Sequence, residues 1–291
     1  MSFLSFKQVD VFTRKPFFGN PVAVVLGAEA LTAEAMQRIA AWTNLSETTF
    51  VLPPTSDQAD YRLRIFTPKQ ELPFAGHPTI GSAHAVIESG YASPKEAQLR
   101  QECLAGTVRL AIEQTAAGIQ IFFQAPKPTI TTFDISFDAR LMAALGALSD
   151  TTPEALRVDV GVVWIVVELR DAAAVATLQP DMPALAELSQ SMKSSGVTAF
   201  GPTTDSGAAF HVRSFAPALG VFEDPVCGSG NAAVAAFLLH TEKLSSIGSR
   251  YIARQGMQVG RDGQVAVHID GESIRIGGYA ITCVDGSLQI D

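Results

Sequence analysis

Two stretches of this chain repeat one another at about half its length, and a duplicated chain is confined to folds built from two like units. Residues 63–86 read LRIFTPKQELPFAGHPTIGSAHAV, and residues 212–236 read VRSFAPALGVFEDPVCGSGNAAVAA. Phe66 and Pro68 match Phe215 and Pro217 at an offset of 149. After a three-residue difference in the loop, Pro73 and Gly76 match Pro225 and Gly228 at an offset of 152. Upstream, Val9-Asp10-Val11 recurs as Val158-Asp159-Val160, and the helix-like TAEAMQRIAAW of residues 32–42 has a counterpart in PALAELSQSMK at 183–193. The order and near-constant offset predict that the 291 residues are one unit of roughly 145 used twice.

Local patterns predict a mixed unit in each copy. Residues 7–12, 21–26, 47–52, 59–66, 99–109 and 118–123 are short and rich in Val, Phe and Thr with partial alternation, so they read as strands. Residues 158–169, 196–200, 209–215, 251–254, 264–269 and 273–276 repeat the pattern. Each half is expected to hold two helices, one amphipathic and one starting in a Gly-rich loop. The second kind, at 79–88 (TIGSAHAVIE) and 231–239 (NAAVAAFLL), is small or apolar nearly all round. Such a helix is buried. The expectation is therefore an α+β fold of two pseudo-symmetric halves, each a curved, mostly antiparallel, barrel-like sheet around a central buried helix. The boundary is placed at the proline-interrupted residues 124–132. This makes 1–124 the first half, with 279–291 returning to it as a strand, and 125–278 the second.

Composition narrows the function. The chain is 47% apolar with a formal charge of −8, which excludes disorder and leaves no basic surface of the kind that phosphate backbones require. The expected partners therefore include no nucleic acid. No run of about 18 apolar residues occurs, so no membrane helix is expected. The opening MSFLSFKQVDVF enters a strand pattern without a leader-like apolar run. Three scattered cysteines, Cys103, Cys227 and Cys283, fit a reducing compartment, and a cytoplasmic location is expected.

The candidate chemistry sits at the two loop–helix junctions, Phe74-Ala75-Gly76-His77 and Val226-Cys227-Gly228-Ser229-Gly230. Glycine allows close approach of a ligand, and a helix start offers N–H donors and a favourable dipole for an anion. The Gly228-Ser229-Gly230-Asn231-Ala232-Ala233 run fits a degenerate dinucleotide fingerprint, but the nearest expected strand ends near Phe215 and no βαβ alternation surrounds it. The five histidines (His77, His84, His211, His240 and His268) are scattered and no HExxH or CxxC occurs, so no metal is expected. His84 reads as a partly buried helix residue. Glu47, in Asn44-Leu45-Ser46-Glu47-Thr48-Thr49, is a general base if buried beside Phe50, or a plain loop carboxylate if exposed. Asp224 before Pro225 is a candidate acid or a turn former. Cys227, just ahead of a helix, is a candidate low-pKa thiol, but the repeat supplies Ala75 in its place, which counts against two-thiol chemistry. Comparing the copies sets Ala75 against Cys227, His77 against Ser229, and Glu47 against Val197.

Four ordered motifs, VDVFTRKPFFGNPVAVVL (9–26), NLSETTFV (44–51), RIFTPKQELPFAGHPTIGSAH (64–84) and FEDPVCGSGNAAVAAFL (222–238), resemble the PhzF-like isomerases of phenazine biosynthesis, within the diaminopimelate-epimerase-like fold. The resemblance implies a cofactor-free isomerase, usually a homodimer, with its site between two pseudo-symmetric halves. It implies a general base at Glu47, an assisting histidine at His77, and substrate-positioning groups at Asp224 and Ser229. The amides of Gly76 and of Gly228, Ser229 and Gly230 would hold a substrate carboxylate, and the family reaction is isomerization of dihydro-3-hydroxyanthranilate. The Cys227-Gly228-Ser229-Gly230 loop resembles that of epimerases and proline racemases, whose first cysteine is absent here. Two other readings remain open: a cysteine-type amino-acid epimerase or racemase, and a non-catalytic small-acid-binding protein.

Overall fold

The computed structural model describes residues 2–133, 135–147, 154–205 and 207–290, with only the backbone for 135–138. The alternating opening stretch forms β1 (Phe3–Val11), which pairs antiparallel with β2 (Asn20–Leu26), Val9 opposite Val22. Helix α1 (Ala33–Thr43) then carries the chain to β3 (Thr48–Leu52), parallel to β2. Its start is capped by Thr32, whose hydroxyl accepts from the Ala35 N–H at 3.2 Å. Its end is turned by Asn44 in the left-handed region (φ 55°), which asparagine tolerates. Strand β4 (Tyr61–Phe66) runs antiparallel to β3 and to the short β5 (Glu71–Leu72). Helix α2 (Gly76–Glu88) leads to β6 (Gln98–Cys103), which is parallel to β4. Strands β7 (Gly106–Thr115) and β8 (Gly118–Gln124) complete an antiparallel meander.

The second stretch contains β9 (Thr129–Thr132), α3 (Ile135–Leu145), β10 (Ala155–Asp159), β11 (Val163–Glu168), α4 (Ala172–Ala176) and α5 (Met182–Ser191). It continues with β12 (Gly196–Pro202), β13 (Phe210–Ala216), β14 (Val221–Asp224), α6 (Gly228–His240), β15 (Arg250–Gln255), β16 (Gly263–Asp270) and β17 (Ser273–Gly278). The last strand, β18 (Ala280–Gln289), pairs antiparallel with β1. Contacts divide the chain into two compact units, residues 1–124 with 277–291, and residues 125–276.

The pairing senses follow the same order in both units. In the first, β1/β2 is antiparallel, β2/β3 parallel, β3/β4 and β4/β5 antiparallel, β4/β6 parallel and β6/β7 antiparallel. In the second, β10/β11, β11/β12, β12/β13, β13/β14, β13/β15 and β15/β16 give that identical series. Each unit also encloses one of the apolar helices. Residues His77 to Ala83 of α2 are buried, and the helix packs against β1, β2, β3, β8 and β18. Helix α6 is buried over nearly its whole length and packs against β10, β11, β12 and β16. Amphipathic helices cover other apolar surface: Met36 and Ala40 of α1 meet Val25, Phe50 and Phe66, while Leu141, Val175, Leu185 and Leu188 meet Ile165, Val197 and Phe215.

Several expected boundaries change. Residues 99–109 are not one strand but the hairpin β6–β7, turned at Gly106 (φ 104°), and 158–169 is broken at Gly161 (φ 85°) into β10 and β11. Neither turn carries a polar turn cluster, Leu104-Ala105 preceding Gly106 and Val160 and Val162 flanking Gly161, because glycine supplies the required φ by itself. The presumed linker 124–132 contributes β9, paired with β10, and among the described residues the second unit holds four α-helices rather than two.

The three-residue difference between the two matched stretches falls in one hairpin. Arg64 on β4 grips Glu71 on β5 with two hydrogen bonds of 2.7 Å, and Arg213 on β13 grips Glu223 on β14 at 2.9 and 2.8 Å. Each glutamate lies five residues before its helix, at Gly76 and Gly228. The extra residues therefore lie between arginine and glutamate, where the second unit inserts the helical turn Pro217–Leu219. Each guanidinium also lies over a phenylalanine two residues on, Phe66 at 5.1 Å and Phe215 at 4.9 Å. Burial separates the two clamps. The Arg213 and Glu223 side chains are 6% and 8% exposed, against 26% and 23% for Arg64 and Glu71, and Arg213 also donates to the carbonyls of Val175 and Leu178. Arg213→Met will strand a buried carboxylate and lower unfolding free energy in urea by about 3–5 kcal/mol. Arg64→Met will lower it by about 1 kcal/mol or less.

Candidate active site

In the first unit, the turn at Asn44 releases the chain so that Glu47 immediately precedes β3. Thr49 of that strand is tied to α2 through its hydroxyl, 2.8 Å from Ser82 Oγ, and also donates to the Ala23 carbonyl. This anchors the strand start beside the helix start. The result is a close pair: His77 Nε2 lies 3.3 Å from Glu47 Oε2, with the side chains 10% and 15% exposed. Glu47 is thus enclosed rather than a plain exposed loop carboxylate. Burial pushes the His77 imidazole down to about 3, so the ring is neutral at neutral pH even beside a carboxylate. The ring also hydrogen-bonds the backbone of Pro21, whose only backbone hydrogen-bonding group is its carbonyl, so the ring donates there. A neutral ring oriented in this way, next to a carboxyl, can accept and return a single proton.

The first turn of α2 is open to an anion. Ala75 at its N-cap supplies no side-chain hydrogen bond, Pro78 has no N–H, and Thr79 N–H bonds the Ala75 carbonyl at 3.2 Å. That leaves the amides of Gly76 and His77 at the positive end of the helix. His84 lies further along α2, partly buried, 3.2 Å from Thr282 Oγ1 and 3.7 Å from Glu88. A cavity of about 400 Å³ in this unit is lined by Arg14, His84, Glu88 and Tyr279, and includes neither Glu47 nor His77.

In the second unit, α6 starts differently. The Sγ of Cys227 caps the helix, accepting from Gly230 N–H at 3.2 Å, and Asn231 N–H bonds the Cys227 carbonyl at 3.1 Å. The amides of Gly228 and Ser229 remain as the donors of the first turn. Gly230 has no room for a side chain, since a Cβ there would lie 2.6 Å from Ser214 Oγ and 2.9 Å from Thr198 Oγ1. Asp224 accepts from Val226 N–H at 3.1 Å and from the Cys227 thiol. Enclosure of its carboxyl pushes its pKa up to about 6. A buried chain of amides backs it: Asn231 Nδ2 donates to Gln255 Oε1 at 3.0 Å, and Gln255 Nε2 donates to the Asp224 carbonyl at 3.0 Å.

Two sequence expectations change here. Burial and the neighbouring Asp224 push the Cys227 thiol far up, so it is a protonated cap and not the activated thiol that its place before a helix suggested. The register also moves the counterpart of Glu47 by one residue. Thr48 pairs with Phe66 and Val197 with Phe215, so Glu47 corresponds to Gly196 rather than Val197. Gly196 cannot carry an acid, because a Cβ there would lie 2.0 Å from the Phe215 carbonyl oxygen and 2.9 Å from the Trp164 ring. Trp164 itself, buried and donating from Nε1 to Ser229 Oγ at 3.0 Å, was missed in the sequence reading. Its signal was weak: a single aromatic within an apparent strand. Among the described residues, no group of three or more His, Cys, Asp or Glu side chains could hold a metal ion, and no helix is long and apolar enough to cross a membrane.

A mixed fold of this topology is shared with proteins of the epimerase-like fold. Residues 9–286 match the family described as phenazine biosynthesis-like protein, and the chain belongs to that family. It is 44% identical to antisense-enhancing sequence 1 of Schizosaccharomyces pombe, covering 98% of this chain and 99% of that one. It is 37% identical to the trans-2,3-dihydro-3-hydroxyanthranilate isomerase of Pseudomonas aeruginosa, covering 94% and 93%. Among solved structures, a PhzF-family phenazine biosynthesis protein of Bacillus anthracis superposes with a TM-score of 0.87 at 28% identity, covering 99% of this chain and 100% of that one. A hydroxyproline epimerase from Agrobacterium vitis shares the fold, with a TM-score of 0.63 at 17% identity over 98% of this chain and 92% of that one.

The two shifted groups make opposite contributions to acid stability. His77 folds with a value below its ordinary 6.5, so the unfolded chain takes up the proton first and stability falls as pH drops from about 6.5 toward 3. Asp224 folds with a value above 3.8, so stability falls as pH rises from about 4 to about 6. Thermal melts across this range will show His77→Gln flattening the acid side. Asp224→Asn will be more stable than the parent above about pH 6, with the difference closing below about pH 4.

Proposed function

We propose that this chain is an isomerase that needs no cofactor and moves a proton within a small carboxylate of the dihydro-3-hydroxyanthranilate type. The observation that carries the reading is the Glu47 carboxylate 3.3 Å from a buried, neutral His77 ring. Glu47 removes a proton from an activated carbon and, directly or with His77, returns it to a carbon further along the conjugated system. No atom is gained or lost. Positioned acid–base groups of this kind contribute about 10²–10⁴-fold. At the α2 start the amides of Gly76 and His77 are the donors for a substrate oxygen; at the α6 start the amides of Gly228 and Ser229 and the Ser229 hydroxyl are, with Asp224 as a positioning group, while the Gly230 amide expected to join them is taken up by the Cys227 cap. Membership of the family and the relative named trans-2,3-dihydro-3-hydroxyanthranilate isomerase support the substrate class.

The shared order of pairing senses and the repeated Arg–Glu clamp support a duplicated, pseudo-symmetric origin, with each curved sheet closing around its own central helix. The same reading takes residues 1–124 with 279–291, and 125–278, as the two halves, and a homodimer in the cytoplasm as the working form. A cysteine-based racemase is disfavoured, because Cys227 is a protonated cap and Ala75 stands at the matching helix start.

With small cyclic and amino carboxylates in D₂O, NMR will show deuterium entering one of the acids. Glu47→Gln will slow that exchange at least about 100-fold while the acid still binds. Near-full exchange by Glu47→Gln would sink the assignment. Cys227→Ser will keep turnover within a few-fold of the parent, since a hydroxyl can also cap α6. Complete loss of turnover in a folded Cys227→Ser protein would instead favour thiol chemistry.

A further inference from the structure

The strand pairings place two unlike couples at the same position of the two units. In the first unit Val9 pairs with Val22, and in the second Val158 pairs with Trp164, so Trp164 takes the place of Val22 as Gly196 takes the place of Glu47. One unit has a small apolar side chain next to an acid. The other has an indole next to no side chain at all, and the ring fills the space that a Cβ on Gly196 would enter. Each couple addresses the second residue of its buried helix: Glu47 meets His77, and Trp164 meets Ser229. A carboxyl can give or take a proton. An indole N–H only donates and does not titrate.

We propose that Trp164 is a positioning residue whose indole commits the Ser229 hydroxyl to donate toward an anionic oxygen, and so sets a preference for a carboxylate over its neutral amide. The inference rests on the functional reading above. Because Nε1 occupies a lone pair of Ser229 Oγ at 3.0 Å, the hydroxyl's own proton is left to point elsewhere. It also lies 3.5 Å from the Cys227 Sγ, but sulfur is a weak acceptor and this one already accepts from Gly230 N–H. A carboxylate oxygen at the α6 start is the stronger acceptor, and it also meets the Gly228 and Ser229 amides and the positive helix end. An amide ligand would present its NH₂ donors to groups that are themselves donors, leaving them unmatched.

The test compares 3-hydroxyanthranilate with its carboxamide as probes, by calorimetry, in the parent, Trp164→Phe, Ser229→Ala and the double variant. Trp164→Phe will lower the acid-to-amide affinity ratio about tenfold, and will lower it no further once Ser229 is Ala. With substrate, KM will rise while kcat stays within about threefold. Equal loss of both probes, or the same loss with and without Ser229, would reduce Trp164 to a packing residue and overturn the proposal. The intact chain gives an independent reading, because it has two tryptophans and Trp42 is 76% exposed. The acid will shift the Trp164 indole ¹H–¹⁵N resonance, the amide will not, and Trp42 serves as control. An unmoved Trp164 signal on acid binding also overturns the proposal. Deuterium exchange separates the two ideas. Glu47-dependent exchange without an acid preference refutes only the Trp164 role. A Trp164-dependent preference without exchange refutes only the isomerase reading, and a parent that neither exchanges nor binds the acid refutes both.

Discussion

Helices α2 and α6 carry small or apolar side chains on nearly every face, so neither can rest on a surface, and each unit has to surround one. A helix enclosed along its sides meets ligands only at its ends. The start then becomes the chemically useful end, because its first amides lack partners within the helix and its dipole is positive there. Everything else in each unit follows from delivering the chain to that start. The hairpin β4–β5 and its counterpart β13–β14 do so, and a bidentate Arg–Glu clamp holds each hairpin five residues upstream of the helix.

The two starts share this frame but differ in what closes them. At α2, an alanine leaves the cap open, and the nearest reactive groups are a carboxylate and an imidazole that burial keeps neutral. At α6, a thiol caps the helix, an indole holds a serine, and the aspartate whose carboxyl pKa is raised has its backbone carbonyl held by buried amides. Under the proposed function, one set moves protons and the other holds charge still. Gly196 shows why the roles do not interchange: the backbone of Phe215 leaves no space for an acid in the second unit.

Much of this was legible along the chain. The repeat, the all-apolar helices and the Gly-rich junctions are local or periodic signals, and they pointed to Gly76, His77, Gly228, Ser229 and Gly230 at helix starts. Other features were not legible. The turns at Gly106 and Gly161 are flanked by Leu104-Ala105 and by Val160 and Val162 rather than by polar turn formers, so each hairpin read as one long strand. The match of Glu47 to Val197 slipped by one residue, because only hydrogen-bond register distinguishes neighbouring positions in a strand. Trp164 resembled ordinary core, since its indole N–H acquires meaning only from a partner 65 residues away.

By itself, the sequence determined that the chain is a mixed fold with two buried helices, each opened by glycine. These properties depend on which side chains recur at which spacing, and spacing is written in the chain. Tertiary structure alone decided the electrostatics. A cysteine before a helix reads as an activated thiol until burial and Asp224 raise it, and a histidine reads as titratable until burial makes it neutral. Ionization depends on the solvent that is excluded and the charges that are brought near, and both are set by residues distant in sequence.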